Sequence, residues 1–327
     1  MNDATETLRM TLVGAGPLAR AIGRILARGP TEVHLWARSQ AARDAIRAEV
    51  PELNVHHELE AALEGAHVVL LAVPADQLTE AAERYGEHAL GDHVVLTAAR
   101  GVGPNFTLPH EMIRKKTCVR QIGILGGPIH ARELATGRSI NAVLATRFPR
   151  VLEMVRRLVS GAPVALHASK DIVGVQVAGA VSNVASLAAG MCDALELGDT
   201  ARGVLLTHGL VDARKIGMAL GATEATFGGL AGLGELIPRH VTSMDRHLEV
   251  GAAVAKGANL QDALQQAQGH VEGVVTAMEA MALADARGIE LGLVRAVAQV
   301  LQGEASPREA LEAVLHHSLD LDDPRGR

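Results

Sequence analysis

Cysteine and aromatic side chains are nearly absent from this 327-residue chain, which has two Cys, one Trp, one Tyr and three Phe. Cys118 and Cys192 lie far apart and form no C-x-x-C pattern, which argues against a disulfide framework and a zinc site and fits a reducing compartment. With aromatics at 2% and a formal net charge of -6, the chain lacks the stacking rings and basic stripes that nucleic acid requires, so a small molecule is the expected partner. Uninterrupted apolar runs of about 18 residues are also missing, and the start, Met1 to Arg9, is polar. Neither a membrane span nor a signal peptide is expected, and the chain reads as cytoplasmic.

What is present is apolar residues at 48%, enough to fill the two cores that a chain of this length predicts. Short aliphatic runs at residues 10–13, 32–37, 67–73, 92–98, 121–125, 141–146 and 163–167 alternate with helical segments and are bounded by Gly, Pro or charge. Unbroken runs such as Val68-Val69-Leu70-Leu71-Ala72-Val73 suit strands buried on both faces. After Ser169 the pattern becomes Ala/Leu/Val at helical spacing, opened by one long helix over residues 171–197 whose Gly174, Gly179, Ala180 and Gly190 permit close backbone approach. The predicted architecture is α/β: a Rossmann-type, doubly wound parallel sheet over residues 8–168, an all-helical substrate domain over 169–319, and a frayed tail over 320–327.

The strongest local signal is Gly14-Ala15-Gly16-Pro17-Leu18-Ala19, placed between the first strand and a helix. Gly14 allows the tight turn, Gly16 lets backbone approach a pyrophosphate, Ala19 permits helix–sheet packing, and Pro17 suits a first helical turn. This frame predicts a nicotinamide dinucleotide. The second strand ends in Ala37-Arg38-Ser39 with no acid to hold a ribose; Arg38 and Ser39 suit a 2′-phosphate, which favours NADP over NAD, the alternative being a solvated surface arginine.

These segments, together with "ILGGPIHARELATG", the long run from Ser169 to Leu210 and "FGGLAGLGELI", resemble the NAD(P)-dependent glycerol-3-phosphate dehydrogenases over about residues 8 to 302. The resemblance implies hydride transfer between a nicotinamide cofactor and glycerol 3-phosphate or dihydroxyacetone phosphate. It places Gly14, Gly16, Pro17, Leu18, Arg38, Arg100, Ala131, Arg246 and Glu272 at the cofactor, and Arg100, Gly127, Ile129, Glu235, Asp245, Arg246 and His247 at a small phosphorylated substrate.

The chain departs from the family where the chemistry is expected. Ser182 occupies the position of the general acid/base lysine, and a serine hydroxyl carries no charge and does not titrate near neutral pH. It is either a small packing residue or a substrate contact. Arg100 replaces a second lysine, Glu235 replaces an aspartate, and the family's Ser-Arg-Asn reads Asp245-Arg246-His247, where Asp245 would pair with Arg246 or repel a phosphate. Ser182, Arg100 and Glu235 are the candidate catalytic residues, and Arg100, His130, His208 or His247 are the groups available to replace the lysine. No histidine pair has metal-ligand spacing.

Three readings follow: a dehydrogenase of this family with impaired or altered catalysis, a reductase of another small carbonyl compound, or an inactive nucleotide-binding sensor or scaffold with a protein partner. Helices rich in Ala and Gly make a homodimer the default assembly.

Overall fold

The computed structural model describes residues 7–239 and 245–317, so the expected tail over 320–327 lies outside the described residues. The chain divides into two compact units: Met1–Ala99 with Pro109–Ile172, and Arg100–Leu108 with Val173–Arg327.

The first unit is an eight-stranded sheet. Its strands are β1 (Arg9–Val13), β2 (Glu32–Trp36), β3 (Asn54–His56), β4 (Val68–Leu71), β5 (Val94–Thr97), β6 (Ile122–Gly126), β7 (Ile140–Ala145) and β8 (Val164–Ser169), and they lie in the order β3-β2-β1-β4-β5-β6-β7-β8. Seven helices accompany them: α1 (Pro17–Leu26), α2 (Gln40–Glu49), α3 (Leu59–Leu63), α4 (Ala75–Gly86), α5 (Pro109–Lys116), α6 (Ala131–Ala135) and α7 (Pro149–Leu158). The four residues of β4 are all 0% exposed, as an unbroken apolar run requires when both sheet faces are covered.

Two features differ from the expectation. β3 pairs with β2 from His34↔Asn54 to Trp36↔His56; three residues, of which only Val55 is β-branched, give too short a pattern to read. β7 runs antiparallel to β6, so the sheet is mostly rather than wholly parallel. The connection between them, residues 127–139, carries only the five-residue helix α6.

The second unit is helical: α8 (Ile172–Ala194), α9 (Asp199–Ala219), α10 (Ala225–Gly228), α11 (Leu233–Arg239), α12 (Arg246–Ala255), α13 (Leu260–Gln266), α14 (Glu272–Arg287), α15 (Leu293–Gln302) and α16 (Pro307–His316). α8 is the long small-residue helix that the sequence predicts. It is long and apolar enough to cross a bilayer, yet its most apolar window is 94% buried among the other helices, which makes it a core helix. Glycines on α8 and on α12 explain how. A Cβ on Gly190 would lie 2.1 Å from the Leu248 carbonyl oxygen, and one on Gly251 would lie 2.0 Å from that of Leu187, so α8 and α12 touch backbone to backbone.

Candidate active site

In the first unit the site begins at the topological switch point, where β1 lies beside both β2 and β4 and the connections that follow diverge. Gly14 follows β1 with φ +126° and donates its N–H to the Trp36 carbonyl at 3.0 Å. A Cβ there would stand 2.6 Å from the Ala72 carbonyl oxygen, so both conformation and space require glycine. Gly16 is bare for another reason. A Cβ on it would meet only the Ala72 oxygen, at 3.9 Å, so the chain's own packing does not demand glycine and its backbone stays open to a group from outside. Gly16 also begins α1 with no capping side chain, Pro17 follows it, and the first turn holds no acid. An uncapped helix start beside exposed backbone fits a pyrophosphate. Ala19, fully buried, takes the helix–sheet contact, and Leu18 packs against the apolar cluster of Ile25 and Leu134.

At the end of β2, the Arg38 side chain is 65% exposed and 3.5 Å from the Glu80 carboxylate, a loose surface pair worth little. Ser39 caps α2, its oxygen accepting the Ala42 N–H at 3.2 Å, which leaves its own hydroxyl proton to offer a ligand. After β6, Gly127 turns the chain with φ +78° and its carbonyl accepts the Ile129 N–H at 2.7 Å. The Ile129 side chain is core, packed with Ala21, Ile25 and Leu134. His130 supplies the N-cap backbone of α6, and Ala131 is that helix's first residue.

In the second unit, one turn of α8 carries Gly179, Ser182 and Asn183 on one face, by their i, i+3, i+4 spacing. The Ser182 hydroxyl is buried and donates to the Gly179 carbonyl at 2.8 Å. Arg100 lies against this turn. Its carbonyl accepts the Asn183 side-chain amide at 2.9 Å, and its Cγ is 3.7 Å from where a Gly179 Cβ would be. The guanidinium Nη1 donates to Oε1 of Glu235 on α11, whose side chain is 1% exposed. A cation, that of Arg100, is therefore present beside the Ser182 turn.

Two further expected residues come together at the start of α12. Asp245 caps the helix: its Oδ1 accepts the His247 N–H at 2.9 Å and the His247 Nδ1–H at 2.7 Å, and His247 Nε2 accepts the Gly273 N–H at 3.2 Å. Both ring nitrogens of His247 are committed, one as donor and one as acceptor, so the imidazole ties α12 to the start of α14. Asp245, expected to meet Arg246 or a phosphate, meets His247 because the cap position turns its carboxylate back over the helix start. Arg246 is exposed and lays its guanidinium on the chain at Gly269, 2.7 Å from where a Cβ would be. Glu272 opens α14. His208 is buried on α9 against Gly292 and the ring of His317; burial, then the neighbouring His317 and Lys215, lower its pKa, which disfavours a cation there.

Asn183 was not foreseen. Its signal was the carboxamide following Ser182 within a helix otherwise built of small and aliphatic residues.

Comparison with known proteins places the chain in a family. Residues 9–151 match the model of the NAD-dependent glycerol-3-phosphate dehydrogenase N-terminus, and residues 171–312 match that of the C-terminus. The glycerol-3-phosphate dehydrogenase [NAD(P)+] of Dechloromonas aromatica is 35% identical over 94% of this chain and 97% of its own length. That of Thiobacillus denitrificans is 32% identical over 95% and 99%. The crystal structure of glycerol-3-phosphate dehydrogenase from Coxiella burnetii superposes with a TM-score of 0.89 at 26% identity, covering 95% of this chain and 99% of that one. The sheet order, the helical second unit and these full-length likenesses agree: the chain is an oxidoreductase of Rossmann type and belongs to the NAD-dependent glycerol-3-phosphate dehydrogenase family.

Proposed function

We propose that this chain moves hydride between NADP(H) and a small phosphorylated compound of the glycerol 3-phosphate and dihydroxyacetone phosphate type, with catalysis slowed at the proton-transfer step. One observation carries this reading: Arg100, ion-paired with Glu235, brings a side-chain cation against the Ser182 turn, while the Ser182 hydroxyl is committed to the Gly179 carbonyl. The relatives' names, and their full-length coverage, supply the substrate class.

Residues 8–168 hold the cofactor and residues 169–319 the substrate in this reading. Gly14 and Gly16 admit the pyrophosphate, Pro17 and Leu18 begin the helix aimed at it, Arg38 meets the adenosine end, and Ala131 and Glu272 complete the cofactor contacts. When bound, the nicotinamide supplies the hydride. Arg100 attracts the negative charge that develops on the substrate oxygen, and Glu235 fixes where its guanidinium sits. A guanidinium holds its protons, so charge stabilisation survives, and the alkoxide left by hydride transfer takes its proton from solvent water, returning hydroxide, rather than from a general-acid side chain. Arg246 grips the phosphate with Asp245 and His247 near it at the start of α12, and Gly127 and Ile129 offer main chain to the substrate.

The test is steady-state turnover of dihydroxyacetone phosphate with NADPH. Wild type is expected to fall about 10²–10⁴-fold below Ser182→Lys in kcat, the usual worth of a general acid. Ordinary turnover by wild type, about 10 s⁻¹, with no gain from the lysine, overturns the proposal. A second reading, binding without turnover, is favoured by the internal commitment of Ser182 and of both His247 nitrogens. It stands if NADPH binds and Ser182→Lys remains inactive.

A further inference from the structure

The turn between β2 and α2 rests on a buried cation that the family reading does not use. Arg43, on the first turns of α2, is 3% exposed. Its Nη1 donates to the carbonyls of Ala37 at 2.7 Å and Arg38 at 3.1 Å, and its Nη2 donates to Oε1 of Gln40 at 2.7 Å. Its Nε–H is buried with no partner. Among the described residues no carboxylate pairs with it. The nearest acid in sequence, Asp44, accepts from Gln40 at 2.7 Å and from Arg47 at 3.2 Å instead.

A charge removed from water without a counter-ion is costly, and three carbonyl-type acceptors neutralise none of it. Those bonds also set the turn's polarity. In a trans peptide the C=O and N–H point in opposite directions. With the carbonyls of Ala37 and Arg38 drawn down onto Arg43, the N–H groups of Arg38 and Ser39 are turned to the other side of the turn, and neither has a partner among the described residues. Two successive free amides, the start of α2, the exposed Arg38 guanidinium and the Ser39 hydroxyl proton form one anion-binding rim above a buried positive charge.

We propose that Arg43 is a specificity-determining positioning residue: it shapes the Arg38-Ser39 rim and supplies the uncompensated charge that the 2′-phosphate of NADP(H) neutralises. The inference rests on the NADP reading above and deepens it. Arg43 acts through the turn, from beneath, so its removal weakens recognition of the 2′-phosphate more than recognition of the rest of the dinucleotide.

The experiment is fluorescence titration of the full chain with NADPH and with NADH, for wild type, Arg43→Met and Arg43→Lys, with adenosine 2′-phosphate and adenosine 5′-phosphate as fragment probes. Circular dichroism checks that each variant is folded. Wild type is expected to prefer NADPH and adenosine 2′-phosphate. Arg43→Met is expected to lose about tenfold or more in NADPH affinity while NADH affinity stays within about twofold, and Arg43→Lys to recover part of the loss. If wild type prefers NADPH and the preference survives in Arg43→Met, or if both cofactors weaken equally, the role of Arg43 is overturned and the NADP reading stands. If wild type prefers NADH, the NADP reading itself fails and the inference falls with it. An Arg43→Met that does not fold leaves the fragment comparison in Arg43→Lys to decide, where an unchanged preference for the 2′-phosphate overturns the role.

Discussion

The β2–α2 turn of the first unit and the Gly179–Asn183 turn of α8 in the second both hold a nearly buried arginine, and they treat it in opposite ways. Arg43 has carbonyl oxygens around it and, among the described residues, no carboxylate, whereas Arg100 has Glu235, itself 0% exposed. The first leaves its charge and two main-chain donors to be satisfied from outside; the second satisfies its charge within the chain. A site that waits for a ligand keeps donors unpaired, and a site whose charges are already paired offers less to a substrate. The same contrast extends outward: the start of α1 has no capping side chain, while the start of α15 is capped by the buried Asp212, which accepts N–H groups of Gly292 at 3.1 Å and Val294 at 2.9 Å.

The largest expected effect breaks the paired side of this contrast. Glu235→Leu removes the partner of a largely buried guanidinium and is expected to destabilise the protein by about 3–5 kcal/mol, measured by urea unfolding. Adding Arg100→Met to Glu235→Leu is expected to return most of that loss, because the cost lies in the orphaned charge. A double variant no more stable than the single one would show that Arg100 and Glu235 are not an energetic pair.

Next in size is a pH effect. Burial raises the pKa of Asp212 from 3.8 to about 6, against the lowering influence of its backbone hydrogen bonds. The folded state thus holds the proton more tightly than the unfolded chain. Its contribution to stability is full below pH 3.8, declines as pH rises to about 6, and is flat above, a fall of up to roughly 3 kcal/mol. Asp212→Asn is expected to lose that decline, read as the difference between variant and wild-type unfolding free energies at pH 4 and pH 7. An identical pH dependence in the two proteins would remove Asp212 from the account.

On the unpaired side, Gly14→Ala places a methyl group 2.6 Å from the Ala72 oxygen at a positive φ and is expected to weaken NADPH binding about a hundredfold, or about 2.7 kcal/mol. Gly16→Ala is expected to weaken binding with little loss of stability, since its Cβ meets no part of the chain closer than 3.9 Å. Equal losses of stability in the two variants would deny that Gly16 is kept bare for a ligand. The smallest effect lies in the first unit's core, where an apolar cavity of about 60 Å³ is lined by Ile25, Leu134, Ala142 and Val164 among others. Ala142→Val fills part of it and is expected to raise stability by roughly 1 kcal/mol, read as a rise in Tm.

Much of the fold was legible because its signals are local. Seven of the eight strands announce themselves as aliphatic runs between Gly, Pro or charge, and α8 by its length and small residues. β3 was not, since three residues carry no period, and the direction of β7 was not, since an aliphatic run reads the same in parallel and in antiparallel pairing. At the candidate site, the residue types at positions 100, 182 and 235 were readable, but not their partners.

What the sequence by itself determined is the strand–Gly14-Ala15-Gly16–helix unit and a neutral hydroxyl rather than a charge at Ser182, because both are properties of adjacent residues and of side-chain chemistry. The tertiary structure alone decided that Arg100 meets Glu235 across 135 positions, that His247 accepts with Nε2 and donates with Nδ1, and that Arg43 points inward beneath the Arg38 turn. Periodicity encodes which face of a helix is apolar; it does not encode which distant carboxylate, carbonyl or amide that face will find once the helices pack.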